Sequence, residues 1–174
     1  LFAKLEFLNP TGSFKDRGST ALISMLKRFN VQRVAEDSSG NAGASIAAYC
    51  AKAGIEATIF APASAPAMKL DQISFYGANV KRIEGGREAV TLACQNFCLD
   101  QNIVYASHNL SPYFIEGTKT FSYELSNQLD PPPEHILFPV GNGSLLIGTW
   151  KAYAELTSTS PRSKTPRLHG IQSK

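Results

Sequence analysis

The stretch "VQRVAEDSSGNAGASIAAYCAKAG" (residues 31–54) decides the fold class. A short segment (31–37), predicted as a strand, passes through a polar, glycine-bearing loop into a segment with the composition of a helix. The same order of strand, loop and helix recurs along the chain, and alternating strands and helices predict a parallel sheet with helices on its faces. The further strands are predicted at 55–62, 78–86, 102–107 and 135–140, and a last apolar run lies at 167–172.

Composition sets the broad class of the protein. The chain has 174 residues, is 43% hydrophobic and carries a formal net charge of +3, which is typical of a globular protein. The charges are scattered, and no apolar run is long enough to span a bilayer, so we expect no nucleic-acid or membrane partner. The three cysteines and three histidines form no ligand motif, which predicts no metal site and buried cysteines in a reducing cytoplasm.

The segment "NPTGSFKDRG" (residues 9–18) places a lysine in an unusual setting. Ser13 and Asp16 have the spacing of a helix N-cap, and the alternating residues 2–9 predict a strand before it, so Lys15 falls in the first helical turn. A cation is disfavoured at a helix N-terminus, and burial would lower the pKa of the amine further. A neutral amine can attack a carbonyl to form a Schiff base. The alternative is a solvated lysine between charged neighbours.

A glycine loop precedes the helix predicted after 135–140. Its residues are Gly141, Asn142, Gly143 and Ser144. Backbone N–H groups in such a loop, together with the helix dipole, can hold a phosphate. The loop is not a dinucleotide fingerprint, since Leu146 stands at the third glycine position, and no Gly-Lys-Ser/Thr follows. The alternative is a plain tight turn.

The loop of the opening stretch has the same layout. Its residues are Ser38, Ser39, Gly40 and Asn41. Hydroxyl and N–H groups there could hold a carboxylate, and the Asn41 amide could bond a phenol-type oxygen. An ordinary N-cap is the alternative. In parallel sheets ligands bind beyond the carboxyl ends of the strands, where these loops lie. A phosphorylated carbonyl cofactor acting on an amino acid would need the Lys15 amine, the loop at 141–144 for its phosphate and the loop at 38–41 for the substrate carboxylate.

Four motifs resemble the pyridoxal-phosphate enzymes of the tryptophan-synthase-β superfamily (fold type II), and threonine synthases in particular. They are "NPTGSFKDRG", "SSGNAGASIAAYCAKAGI", "EGTKTFSYEL" and "PVGNGSLLIGTWKAY". The resemblance implies a two-domain α/β fold of parallel sheets flanked by helices. Residues 34–108 would form a small mobile domain, and residues 1–33 and 109–174 parts of the large one. Because such enzymes are longer, we expect a chain truncated at both ends, and a homodimer when full length.

The resemblance also implies roles for individual residues. Lys15 would form the Schiff base with pyridoxal 5'-phosphate and act as the acid–base group. Asn41 would bond the ring hydroxyl, and Phe14 would pack near the ring. The substrate carboxylate would lie on Ser38, Ser39 and Gly40, and the cofactor phosphate on Gly141, Asn142, Gly143 and Ser144.

The implied activity is a lyase reaction that converts O-phospho-L-homoserine to L-threonine and phosphate. The segment 107–120 departs from the resemblance, because Tyr113 and Phe114 stand where a basic residue is expected near the substrate phosphate. For that phosphate the sequence offers Ser107, Asn109, Thr118 and Lys119. A serine/threonine dehydratase, or another β-elimination or β-replacement enzyme, is the alternative within the superfamily. A non-catalytic homologue acting as a binding domain is the alternative from another class.

Overall fold

The computed structural model describes residues 1–159 and 165–172. A short 3-10 helix (Glu6–Leu8) precedes seven helices and six strands in these ranges. The helices are α1 Lys15–Arg28, α2 Asn41–Ala53, α3 Ala67–Phe75, α4 Arg87–Gln101, α5 Pro112–Thr118, α6 Thr120–Gln128 and α7 Ser144–Thr159. The strands are β1 Arg33–Glu36, β2 Glu56–Pro62, β3 Asn79–Ile83, β4 Val104–Tyr105, β5 His135–Pro139 and β6 Arg167–Ile171.

The strands form two parallel sheets. Four strands pair in the order β3-β2-β1-β4, and β5 pairs with β6. In the larger sheet Ala35 lies opposite Thr58 on one side and Tyr105 on the other. The predicted α/β class with parallel sheets and flanking helices is confirmed.

Alternation along β1 and β2 sends side chains into two cores. Val34 and Ile59 pack with α1 and α2 on one face, whereas Ala35 and Phe60 pack with α4 on the other. Both faces of the sheet are therefore covered, which explains why these strands are short and apolar. Cys50, Cys94 and Cys98 are buried free thiols in these cores, as the sequence predicted.

The strand predicted over residues 2–9 is wrong. The segment pairs with none of the described strands, and Glu6–Leu8 form a 3-10 helix. Most of its large apolar side chains are exposed, so the alternation does not mark a buried face. Local bonds compete with a strand here: the Asn9 amide donates to the Glu6 carbonyl at 2.7 Å, and Arg17 pairs with the Glu6 carboxylate.

The helices α1 and α5, which come before and after the strands of the larger sheet in the sequence, pack on that sheet. Leu22 of α1 and Phe114 of α5 belong to the same buried cluster as Val34 and Ile59. This packing brings the start of α1 beside the carboxyl end of the sheet. The division into a small domain (34–108) and a large one (1–33 and 109–174) stays a prediction.

Candidate active site

The first turn of α1 presents Lys15. The helix begins at Lys15 with Phe14 as N-cap, so the predicted cap at Ser13 is wrong by one residue. The Ser13 hydroxyl instead accepts from the Lys15 backbone N–H at 3.3 Å. Asp16 does not close a capping box, because its buried carboxylate accepts from the Thr11 N–H at 2.7 Å and the Ser45 hydroxyl at 2.6 Å. These bonds fix the turn before α1 and tie the helix to α2.

The Lys15 amine lies in a partly desolvated setting. Its Nζ is 4.3 Å from the Phe14 ring centroid and 3.4 Å from Asn142 Oδ1. Burial lowers the pKa of Lys15 from 10.5 to about 8, and the nearby charge of Glu36 opposes that fall. At pH 7 roughly a tenth of the amine is then neutral, against a few parts in about ten thousand for an ordinary lysine. The geometry thus favours a reactive amine over a solvated surface lysine.

A cavity of about 120 Å³ opens beside this amine, between Lys15 and the loop that leads into α7. One water needs about 10–15 Å³ of such space, so the cavity has room for a phosphate group. Gly143 takes a φ of +81°, which turns the chain into α7 at Ser144. The cavity lining includes Phe14, Lys15, Gly141, Asn142, Gly143 and Ser144.

Asn142 organises the loop. Its Oδ1 accepts from the Ser144 N–H at 3.2 Å and the Ser144 hydroxyl at 3.0 Å. Its Nδ2 donates to Asn109 Oδ1 at 2.7 Å. The first N–H groups of α7 have no partner within the helix and carry its positive end, which suits an anion. An amine, a helix N-terminus and a glycine turn therefore meet in one cavity, and this donor set fits a phosphorylated aldehyde.

The loop at 38–41 lies at the start of α2, with Gly40 as N-cap. The Ser38 hydroxyl accepts from the Gly40 N–H at 3.3 Å, and a Cβ on Gly43 would lie 1.9 Å from the Ser38 carbonyl oxygen. Because Gly43 has no Cβ, the loop can fold back closely onto α2. Asn41 is exposed, and this loop is not part of the cavity lining among the described residues. Its roles toward carboxylate and ring stay predictions.

Two residues expected near a second phosphate are engaged elsewhere. The Lys119 amine contacts both carboxylate oxygens of Glu155 at 2.8 Å and Glu116 at 2.5 Å. The Thr118 hydroxyl donates to the Ile115 carbonyl at 2.8 Å. Lys119 therefore links α5 to α7, and the Thr118 hydroxyl also lies 3.3 Å from the Ser144 carbonyl oxygen at the start of α7. Their contact with a substrate phosphate stays a prediction.

A buried ionisable pair whose charge acts on Lys15 was not predicted from the sequence. Glu36, at the end of β1, is fully buried and bonds the imidazole of His108. An acidic residue at a strand end is usually solvated, and its partner lies 72 residues away. Asn109, which follows His108 and is predicted from the sequence as a phosphate contact, accepts from Asn142 Nδ2 and so supports the loop. Within the described ranges no cluster of His, Cys, Asp and Glu could hold a metal ion.

Comparison with known proteins places this site in a family. The family described as "Pyridoxal-phosphate dependent enzyme" matches residues 1–174, and the chain belongs to it. The threonine synthase of Methanocaldococcus jannaschii is 35% identical over 175 residues, covering 99% of this chain and 43% of its own. That of Bacillus sp. is 36% identical over 173 residues, covering 99% and 49%. The chain thus spans about half the length of these relatives.

Solved structures agree on the fold. A pyridoxal 5'-phosphate-dependent aspartate racemase superposes with a TM-score of 0.82 at 28% identity, covering 96% of this chain and 49% of the other. Threonine deaminase isoform 2 from Solanum lycopersicum superposes with a TM-score of 0.84 at 24% identity, covering 97% and 45%. The predicted fold type II resemblance and the predicted cofactor, pyridoxal 5'-phosphate, are confirmed. None of the described helices has the length and apolar character needed to cross a membrane.

Proposed function

We propose that this chain is part of a threonine synthase-like lyase that converts O-phospho-L-homoserine and water to L-threonine and phosphate. The observation that carries the proposal is the Lys15 amine, with its pKa lowered to about 8, facing the glycine loop at the start of α7. The relatives named threonine synthase, at 35–36% identity, support the substrate class. A cytoplasmic setting and a homodimer accompany the proposal as predictions.

Each of the two loops, together with Lys15, has one role in this proposal. The loop at 141–144 and the first turn of α7 hold the cofactor phosphate. Lys15 would hold the cofactor covalently, and the Asn41 amide would donate to its ring oxygen. Ser38, Ser39 and Gly40 hold the substrate carboxylate. When bound, pyridoxal phosphate supplies an aldehyde for an amine and an electron sink for charge developing at the substrate Cα.

Lys15 also moves the proton in this proposal. A general base works best when its pKa lies near the operating pH, and a value of about 8 meets that condition. With an amino-acid substrate bound, the Lys15 amine would accept the Cα proton. Asn142 Oδ1, 3.4 Å from Nζ, gives the amine a fixed neighbour.

The engagement of Lys119 favours a second candidate. A substrate phosphate beside the cofactor phosphate needs cations to offset the repulsion, and the Lys119 amine is held by Glu116 and Glu155. A serine/threonine dehydratase, or another β-elimination or β-replacement enzyme, has no second phosphate to bind. The remaining alternative is a non-catalytic binding domain. The lowered pKa of the Lys15 amine is evidence against it, because such a domain needs no reactive amine.

A substrate panel separates these functions. The chain, reconstituted with pyridoxal phosphate, is assayed with O-phospho-L-homoserine, L-serine and L-threonine, following phosphate, threonine and keto-acid release. Phosphate release with matching threonine formation is expected. Keto acid from serine or threonine, with O-phospho-L-homoserine inert, would replace the proposal with a dehydratase. A Lys15→Ala variant serves as the control for each substrate.

A further inference from the structure

Glu36, which is buried and bonded to His108, acts on the Lys15 amine through its charge but has no part in the chemistry described above. Glu36 Oε1 bonds His108 Nδ1, and Glu36 is fully buried. Among the described residues no donor reaches the other carboxylate oxygen, Oε2. A buried charge that is only half satisfied is costly, so such a pair needs a reason to be there.

Two chains of contacts join this pair to Lys15. On one side the His108 ring meets the Phe114 ring edge-on at 5.9 Å. Phe114 packs so closely on Gly18 that a Cβ there would lie 2.5 Å from the ring. Gly18 is three residues after Lys15 and therefore its neighbour on the surface of α1.

The other chain of contacts runs through the cavity loop. Asn109, directly after His108, accepts from Asn142 Nδ2 at 2.7 Å. Asn142 Oδ1 in turn lies 3.4 Å from Lys15 Nζ. The two chains of contacts together form a closed ring, and Glu36 is bonded to it at His108. The ring consists of Lys15, Gly18, Phe114, His108, Asn109 and Asn142.

We propose that Glu36 and His108 are positioning residues for Lys15: His108 keeps the buried Glu36 carboxylate ionised, and this carboxylate is the counter-charge of the Lys15 amine. The inference rests on the proposed role of Lys15 as the reactive amine. The proposal explains why a carboxylate is buried at the end of β1. It also identifies the two residues that influence the protonation state of the Lys15 amine.

The electrostatics have the sign that this role requires. Burial raises the pKa of Glu36, and the bond to His108 opposes the rise. The Glu36 charge in turn opposes the fall in the pKa of Lys15. Besides these two partners, the groups that interact with Glu36 are Asp37 on the same strand end and Tyr105, Cys94 and Cys98.

Asp37 provides a matched control. It is the next residue, it is also buried, and its carboxylate is likewise bonded. Its partners lie on α4, however: Arg87 Nη2 at 2.9 Å and the Thr91 hydroxyl at 2.5 Å. Asp37→Asn therefore removes a neighbouring buried charge from the other side of the sheet.

The test measures the pKa of Lys15 in the chain without cofactor. Lysines are reductively methylated with ¹³C-formaldehyde, the Lys15 signal is assigned with Lys15→Arg, and each variant is titrated by NMR. We expect Glu36→Gln to lower the pKa of Lys15 by about half a unit or more, a roughly threefold rise in neutral amine. His108→Ala should do the same, because an unpartnered buried Glu36 takes up a proton. His108→Asn, which keeps a donor near the Nδ1 position, should restore much of the value.

An unchanged pKa of Lys15 in folded Glu36→Gln would overturn the proposal, as would an equal shift in Asp37→Asn. If Glu36→Gln does not fold, equal values in His108→Ala and His108→Asn would overturn it. Capture of pyridoxal phosphate is measured separately on the same proteins. Failure of that capture counts against the proposed function, while the titration still decides the role of Glu36 and His108.

Discussion

At the scale of single residues, the chemistry depends on one amine whose surroundings differ from those of an ordinary lysine. Lys15 stands at a helix N-terminus, over the Phe14 ring and against Asn142. Burial and the positive end of α1 both disfavour the ammonium form, and the lowered pKa of about 8 follows from that burial. The fully buried Glu36 limits the effect. The reactivity of the site is thus a balance between one desolvated cation and one buried carboxylate.

The first prediction concerns the pH dependence of cofactor capture. Because only the neutral amine attacks an aldehyde, the rate at which the chain captures pyridoxal phosphate should rise about tenfold per unit below pH 8 and level off above it. Stopped-flow absorbance between pH 6 and pH 10 measures the rate. Nα-acetyl-lysine, with an ordinary amine, is the reference and should keep rising to about pH 10.5. A chain that follows the reference curve contradicts the lowered pKa.

The second prediction concerns Asn142. Asn142→Ala removes the acceptor for the Ser144 N–H and hydroxyl and the donor to Asn109, so the loop loses its fixed shape. Hydrogen bonds that support a charged ligand are worth about 1.5–3 kcal/mol, which predicts a Kd for pyridoxal phosphate at least about tenfold higher. Equilibrium absorbance titration measures it. The exposed Asn127 on α6 gives the control, Asn127→Ala, and equal Kd values for the two variants would exclude the role.

At the scale of elements, α1 is the part on which the site is built. Its N-terminus carries Lys15, its first turn is tied to α2 through Asp16 and Ser45, and it packs on α5 through Gly18 and Phe114. Arg17 adds a link to the N-terminal 3-10 helix and to α6. The pairing is bidentate on both sides, with Nε and Nη2 on Glu6 and both Nη atoms on Glu124. The orientation of the amine is therefore fixed from several directions.

The third prediction tests that link. Arg17→Met keeps most of the side-chain volume but leaves Glu6 without its partner, so residues 1–8 should become the first site of proteolysis. The free energy of unfolding should fall by about 1–3 kcal/mol, since Arg17 is largely buried. Urea denaturation and limited proteolysis measure the two effects. Arg33→Met, which removes the exposed Arg33–Glu56 pair at 3.6 Å, is the control and should cost about 0.5 kcal/mol or less.

At the scale of the whole molecule, local patterns predicted the architecture and the cavity. Repeated strand, loop and helix segments predicted parallel sheets, and the glycine loop and Lys15 were found in one cavity. The pattern failed over residues 2–9, because alternation alone does not show whether a partner strand exists. It also could not show that Lys119 pairs with Glu155 or Glu36 with His108. Those contacts join residues 36 and 72 positions apart, and only the packing of the elements brings them together.

The most direct test of the proposed site is to locate the covalent link. The chain is incubated with pyridoxal phosphate, reduced with borohydride and digested, and the pyridoxyl group is mapped by mass spectrometry, with Lys15→Arg as the control. The prediction is a pyridoxyl group on the peptide that contains Lys15 and its loss in the control. A label on Lys119 or Lys151 instead, or equal labelling in Lys15→Arg, would contradict the assignment of Lys15.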